Sequence, residues 1–553
     1  MSAETKPGAI SSVGGPRPSR STASDLGPAG DSAVHAGDIA GIDRPVPGGD
    51  GTTLREIDAH GATLELVSSL CRALEEAGIR YCHWKSNESL DRSASGENDL
   101  DLLVHRSDAR RFEAVLRDLG FRDARLPRWK ELPGVYHSYA VDPRSGRFVH
   151  IHAHYQLVVG DDMTKNYHLP IEVPYLASAR PVAPFMVPAP EFELGLFLLR
   201  IVIKHCTWDA FLTLQSSLSG SERRELDDLL GQVDLTDVWD LMGRYIPFVP
   251  RERWNACLRS AQPGASVWLR VKTASRVQAD LAVWSRRPRA VDTSLRMWRR
   301  FRTLARRKVF RRGPVPHRLA GGGVLIGIVG GDGAGKTTAL EGLTRWLAKE
   351  NFFAATVHMG KPRWSLLSTT VKGSMKVAAS VKRRPTSSAS SLRSTLATGG
   401  GSMDVRDRAR LVWEVLTARD RSRAYRRARR LASNGEIVIC DRYPLPQVSA
   451  MDGAVTARAK DPARLGVLAK SLAAREKRYY ERITYPDILI VLRVNPDIAV
   501  QRKAGIEPES TVRPRSQEIW QLDWADTPAI VVDAAASQDE VLAAIKSLIW
   551  SRL

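Results

Sequence analysis

Apolar periodicity is absent from residues 1–53, where Gly, Pro, Ser and Ala dominate. Such a stretch buries too little surface to offset the entropy of ordering it, so a disordered tail is predicted there. From residue 54 onward the pattern changes. Leu64, Val67, Leu70, Cys71 and Leu74 recur at helical spacing, and Gly78 stands where a left-handed residue ends a helix. Residues 79–84 and 148–157 read as strands, which makes 54–160 an α+β unit. Residues 191–203 carry apolar side chains around most of a helix, which predicts a buried one. Further helices are predicted at 222–233 and 235–245, so 161–283 reads as a helical companion unit. Between 284 and 321, Leu295, Trp298, Phe301, Ala305 and Val309 form an apolar stripe of imperfect helical spacing among arginines.

Residues 322–553 alternate strands with helices, which predicts a parallel sheet covered on both faces. Val, Leu and Ile fill 324–329 apart from Gly327, and Leu340, Leu343 and Leu347 share one face of the next helix. A second strand is predicted at 354–358, a Ser-, Thr- and Arg-rich mobile insertion at 363–402, and a long helix over 404–434 ended by Gly435. Apolar strands follow at 436–440 and 486–492. The fold class expected is therefore multidomain, with an N-terminal α+β unit, its helical companion, a basic linker helix and a C-terminal α/β unit.

Composition narrows this picture in two ways. The five cysteines are scattered and form no C-x-x-C pair, which argues for a reducing compartment and against a zinc-ribbon or disulfide framework. With no secretory leader and no apolar run long enough to span a bilayer, the expected location is cytoplasmic. The formal net charge is +21, but thirteen Lys/Arg and the single acid Asp292 fall between residues 286 and 318. Much of the excess thus sits in the linker, and no aromatic-and-basic nucleic-acid motif accompanies it. That linker helix can lie on an anionic membrane at the inner face of the cell through its Trp and Phe, or rest on a neighbouring part of the chain.

The strongest chemical signal is Gly330-Gly331-Asp332-Gly333-Ala334-Gly335-Lys336-Thr337-Thr338, a match to G-x-x-x-x-G-K-[ST] between a strand and a helix. Glycines let backbone N–H groups converge on phosphate oxygens, the lysine reaches the β/γ-phosphates, and the Thr337 hydroxyl can ligate Mg²⁺. An ATP or GTP site is predicted. The strand over 436–440 delivers Asp441-Arg442-Tyr443 at its C-terminal end, the sheet edge where ligands bind, so Asp441 is placed to hold Mg²⁺.

In the N-terminal unit, Asp99 and Asp101 flank one residue on a strand and face the same way, a costly arrangement that a divalent cation would relieve. With the preceding Lys85-Ser86 turn twelve residues away, this segment resembles the uncharacterised nucleotidyltransferases of the polymerase-β-like superfamily. The resemblance implies metal ligation by Asp99 and Asp101 and a third carboxylate on a later strand. His152 occupies that third position. His150, His152 and His154 alternate on one face, which suits either a transition metal or the polar side of a half-exposed strand.

The C-terminal unit resembles thymidylate kinases. The phosphate loop, Ala418-Arg419-Asp420-Arg421, Asp441-Arg442-Tyr443, the strand over 486–492 and Val531-Val532-Asp533-Ala534 carry the likeness, over about two-fifths of the chain. It implies that Asp332 lies near the acceptor nucleotide and that Arg442 clamps its phosphate. It also implies a lid over 502–515 in which Arg513 or Arg515 supplies catalytic charge, although the same residues could be an exposed loop. Pro444-Leu445-Pro446-Gln447, His358-Met359-Gly360-Lys361-Pro362 and Arg493 depart from the family, and all three lie on the acceptor side. The expected function is ATP- and Mg²⁺-dependent phosphoryl transfer to a nucleoside monophosphate, dTMP first. The alternatives are a nucleotide-binding regulator or scaffold, and a nucleotidyltransferase with an accessory phosphate-loop unit. Oligomeric state is not encoded in any of these motifs.

Overall fold

The computed structural model describes residues 63–212, 218–309, 313, 315–360, 405–448 and 467–553. The tail predicted over 1–53 and the insertion predicted over 363–402 lie outside them. The architecture is α/β, built on two sheets and a helical bundle.

The N-terminal sheet contains β1 (Tyr81–His83), β2 (Leu100–Val104), β3 (Arg122–Arg125), β4 (Val135–Val141) and β5 (Phe148–His154). Its order is β1-β2-β5-β4-β3, and only β2 and β5 are parallel neighbours. One face of β5, through Val149, Ile151 and Ala153, packs on helices Glu65–Glu76 and Ala109–Asp118. The first of these ends as its sequence predicts: Gly78 has φ +57 and its N–H donates to the Glu75 carbonyl. Because side chains alternate along a strand, the other face of β5 presents Phe148, His150, His152 and His154.

Two short hairpins, β6 (Leu157–Val159) with β7 (Tyr167–Leu169) and β8 (Arg180–Val182) with β9 (Phe185–Val187), lead into the bundle. The segment expected to be helical from 161 therefore begins with strands. Its centre is helix Pro190–His205, buried on nearly every side as its apolar girth requires, with Gly220–Gln232 and Leu235–Tyr245 against it.

The linker helix Arg289–Leu304 is oriented opposite to what its apolar stripe would suggest. Arg296, Arg299 and Arg300 are buried, with Arg300 donating to Asp161 at 2.6 Å and Arg299 to the Met163 carbonyl, also at 2.6 Å. Trp298, Phe301 and Leu304 remain exposed. The charged face is inside because carboxylate and carbonyl acceptors wait there to satisfy it. Among the described residues no helix is long and apolar enough to cross a membrane.

The expected linker also contains a strand. β10 (Arg318–Leu319) pairs with β3 and completes the N-terminal sheet, and β11 (Val324–Gly330) follows after one turn. Residues 318–319 thus belong to the N-terminal sheet, and the chain passes to the second sheet without a loose connection. That second sheet is all parallel, in the order β12 (Ala354–His358), β13 (Ile437–Asp441), β11, β14 (Ile488–Arg493), β15 (Ala529–Asp533). The two sheets share one apolar core. Phe148 stacks on Trp346 at 4.4 Å and lies edge-on to Trp550 at 4.9 Å, while Trp550 donates its ring N–H to the Gly120 carbonyl.

Candidate active site

All seven residues of β11 are buried, and the chain leaves the sheet at Gly330 into the phosphate loop. Helix Lys336–Lys349 begins as soon as the loop closes, with Gly335 at φ +83 as its N-cap. A side chain at Gly331 would place Cβ 2.6 Å from Ser516 Cα, so helix Glu509–Gln521 lies directly on the loop. Gly333, at φ +84, is pressed against the Ala499 backbone in the same way. The glycines are therefore required by neighbours as well as by the turn.

Lys336 is buried, and its Nζ donates to the Gly330 and Gly331 carbonyls at 2.8 and 2.7 Å. Its nearest carboxylate, Asp332, is 4.0 Å away. Burial pushes this ammonium down to about 8, opposed by Asp332. Burial favours the neutral form of Asp332 too, but the hydrogen bond from Arg515 and the charge of Lys336 outweigh it and hold the carboxyl below its usual range.

Strand register brings Asp441, the last residue of β13, beside Ile328 of β11 and His358 of β12. Its carboxylate lies 2.9 Å from His358 Nδ1. Arg442 follows with φ +53, a left-handed conformation unfavourable for a residue with a Cβ. Its guanidinium forms no hydrogen bond among the described residues. Lys336, Thr337, Thr338, Asp441, Arg442 and Arg423 line one cleft of ≈ 1680 Å³. Thr337 is exposed at the helix start. A buried ammonium, an arginine without a hydrogen bond among the described residues and a helix N-terminus converge there, and together they fit a polyphosphate; Thr337 and Asp441 fit its Mg²⁺.

The two lid arginines are separated. Residues 509–521 are a helix rather than a loop, and Arg513 and Arg515 leave it in different directions. Arg515 reaches the loop and donates to Asp332 at 2.8 Å. Arg513 points away and pairs with Asp497 and Glu509 at 2.8 and 2.7 Å, so it is not at the site in this arrangement. Arg421, from the segment that resembles the kinase helix, is buried and donates to the Met359 and Gly360 carbonyls, which fixes the end of β12.

The N-terminal aspartates are brought together, but not as an open metal pair. Asp101 Oδ1 is 2.9 Å from Lys85 Nζ and 3.3 Å from His152 Nδ1. Asp99 Oδ1 is 2.7 Å from His150 Nδ1. Burial disfavours both charges, yet Lys85 and the imidazoles around Asp101, and His150 and His152 around Asp99, hold both carboxyls below their usual range. With the expected third acid replaced by His152, and both carboxylates already matched by cations and ring N–H groups, the pair does not fit Mg²⁺. The histidines are not the polar side of a half-exposed strand: β5 lies between β2 and β4, and His150 and His152 side chains are only 10% and 19% exposed. His137 of β4 and His317, just before β10, join them. Nothing in the alternation of 148–157 pointed to either, because their proximity is set by strand pairing.

No family model matches the chain, and no curated protein matches it. Among solved structures, a thymidylate kinase from Candida albicans is similar with a TM-score of 0.24 and 15% identity, over 41% of this chain and 91% of that one. At that score the likeness carries no weight for function, which must stand on the geometry of the cleft.

Proposed function

We propose that this chain is an ATP- and Mg²⁺-dependent phosphotransferase acting on a nucleoside monophosphate, with dTMP the first acceptor to test. The observation that carries this reading is Arg442: a strained arginine, without a hydrogen bond among the described residues, on the same cleft as the buried Lys336. A strained residue persists where its surroundings hold it, and a guanidinium there suits an acceptor phosphate through two parallel hydrogen bonds. Lys336 and the N–H groups that open helix Lys336–Lys349 would bind the donor phosphates. Thr337 and Asp441 would hold Mg²⁺, which neutralises phosphate charge when bound. The acceptor phosphate oxygen attacks the γ-phosphorus, the bond to the β–γ bridging oxygen breaks, and ADP leaves. Arg515, tethered to Asp332, holds the lid helix against the loop and keeps a guanidinium at the loop while water is excluded. The protein supplies position and charge rather than covalent chemistry.

The test is acceptor-dependent ADP release by the full chain with ATP, Mg²⁺ and a panel of nucleoside monophosphates, with Lys336→Ala as control. A regulatory, nucleotide-binding role is favoured by one contact, the His358 imidazole on Asp441, which competes with a metal for the carboxylate. Tight ATP binding without turnover on any acceptor would support that role. The nucleotidyltransferase reading is disfavoured by the occupied Asp99 and Asp101 carboxylates.

A further inference from the structure

Four imidazoles from three separate segments meet on the far face of the N-terminal sheet. His150 and His152 come from β5, His137 from β4, and His317 from the connection to β11. Ring centroids of His137 lie 5.3 Å from His150, 4.7 Å from His152 and 5.0 Å from His317. One nitrogen from each of His137, His150 and His152 lies within 4.8 Å of the others. We propose that His137, His150 and His152 bind a divalent transition-metal ion of the zinc class, at the junction between the N-terminal sheet and the phosphate-loop unit.

The donor chemistry selects that class. Imidazole nitrogen suits Zn²⁺ and its neighbours, whereas Mg²⁺ takes oxygen. Two nitrogens on a tetrahedral Zn²⁺ at about 2.0–2.1 Å each are about 3.3 Å apart. His137 Nδ1 and His150 Nε2 are already 3.1 Å apart. The surrounding groups orient the rings as metal-bound histidines are usually oriented, with the other ring nitrogen on a carboxylate. His150 Nδ1 is 2.7 Å from Asp99 Oδ1, which leaves its Nε2 toward His137, while His152 has Nδ1 3.3 Å from Asp101 Oδ1 and Nε2 3.6 Å from Asp99 Oδ2. Tyr139 stacks on His150 at 3.9 Å with the rings 8° from parallel, which fixes its plane. His317 Nε2 is buried with no hydrogen-bond partner among the described residues, and its ring centroid lies 5.0 Å from that of His137.

The location gives the ion a task. His317 is tied by backbone hydrogen bonds to Asn351 and Phe353 of the phosphate-loop unit, 2.7 and 3.0 Å long. An ion on β4 and β5 therefore braces the strands against which that connection rests, and it does so whether or not the phosphotransfer reading holds.

The experiment uses the full chain, stripped with a chelator and titrated with Zn²⁺ and, separately, Co²⁺. One equivalent of Zn²⁺ should bind and raise the unfolding temperature, with EDTA reversing the rise. Co²⁺ should give the intense visible absorption of a four-coordinate site. His137→Ala should weaken Zn²⁺ binding at least 100-fold, and Asp99→Asn, which leaves all three ligands, by about 10–100-fold. Lys336→Ala should bind Zn²⁺ like the unaltered chain. Substoichiometric Zn²⁺, a weak octahedral Co²⁺ spectrum, or a folded His137→Ala protein with undiminished affinity would overturn the proposal. The Co²⁺ spectrum of the unaltered protein decides the matter even if the variants fail to fold.

Discussion

Replacing Arg442 by glycine separates stability from function in opposite directions. At φ +53, a residue with a Cβ carries about 1–2 kcal/mol of strain that glycine does not. Glycine gives back about 0.4–1 kcal/mol through the greater freedom of its unfolded chain. The net expectation is a gain of about 0.5–1 kcal/mol, seen as a rise in unfolding temperature of about 1–3 °C for a unit of this size. The guanidinium forms no hydrogen bond among the described residues that the change would break. Catalysis should move the other way. Losing two charged hydrogen bonds to an acceptor phosphate costs about 3–4 kcal/mol, or about 10²–10³-fold in kcat/KM for the acceptor. Calorimetry of the free protein and coupled ADP release read the two effects separately. A destabilised Arg442→Gly protein would show that the left-handed conformation is not a strain held for function. Undiminished acceptor turnover would show that Arg442 does not touch the acceptor.

Three further outcomes are expected. Burial lowers Lys336 from 10.5 to about 8, so below that value the empty protein carries the cost of a buried ammonium, and the cost fades as pH rises toward the unfolded value of 10.5. A polyphosphate that restores the charge must therefore draw protons: calorimetric ATP titrations at about pH 8.5, in buffers of different ionisation enthalpy, should show net uptake, and release would contradict the geometry. Arg515→Ala should lower turnover about 10–100-fold because it frees Asp332 and the lid helix, whereas Arg513→Ala, which removes only two exposed ion pairs, should change it less than about threefold; equal losses would mean that the lid rearranges. For the linker helix, the proposal that its exposed Trp298 and Phe301 meet an anionic membrane predicts flotation with phosphatidylserine vesicles that W298S/F301S abolishes, and equal recovery of both proteins would remove it.

What the sequence disclosed and what it concealed divide along a physical line. Helix Leu235–Tyr245, strand Ala354–His358 and the stop at Gly435, φ +85, follow from local pattern and appear where local pattern puts them. So does the phosphate loop, whose residues are contiguous and whose chemistry is local. The sequence could not show which face of helix Arg289–Leu304 is buried, because the acceptors for its arginines, Asp161 and the Met163 carbonyl, lie more than 100 residues away. A periodic stripe says which side chains share a face, not where the hydrogen-bond acceptors are. The divergence of Arg513 from Arg515 had the same origin: a helix through Pro514 turns two residues two apart onto different sides, which an Arg-Pro-Arg triplet does not announce. His137 and His317 joined the β5 histidines only through strand pairing and a chain reversal.

The central claim, that the cleft transfers a phosphoryl group to a nucleotide, is tested most directly by one measurement. Purified full-length protein, ATP and Mg²⁺ are incubated with dTMP and the other nucleoside monophosphates, and both ADP and the phosphorylated acceptor are quantified. At least one acceptor should yield its diphosphate in one-to-one proportion with ADP, and Lys336→Ala should abolish both products. ATP that binds tightly at the loop and is turned over with no acceptor would contradict the account.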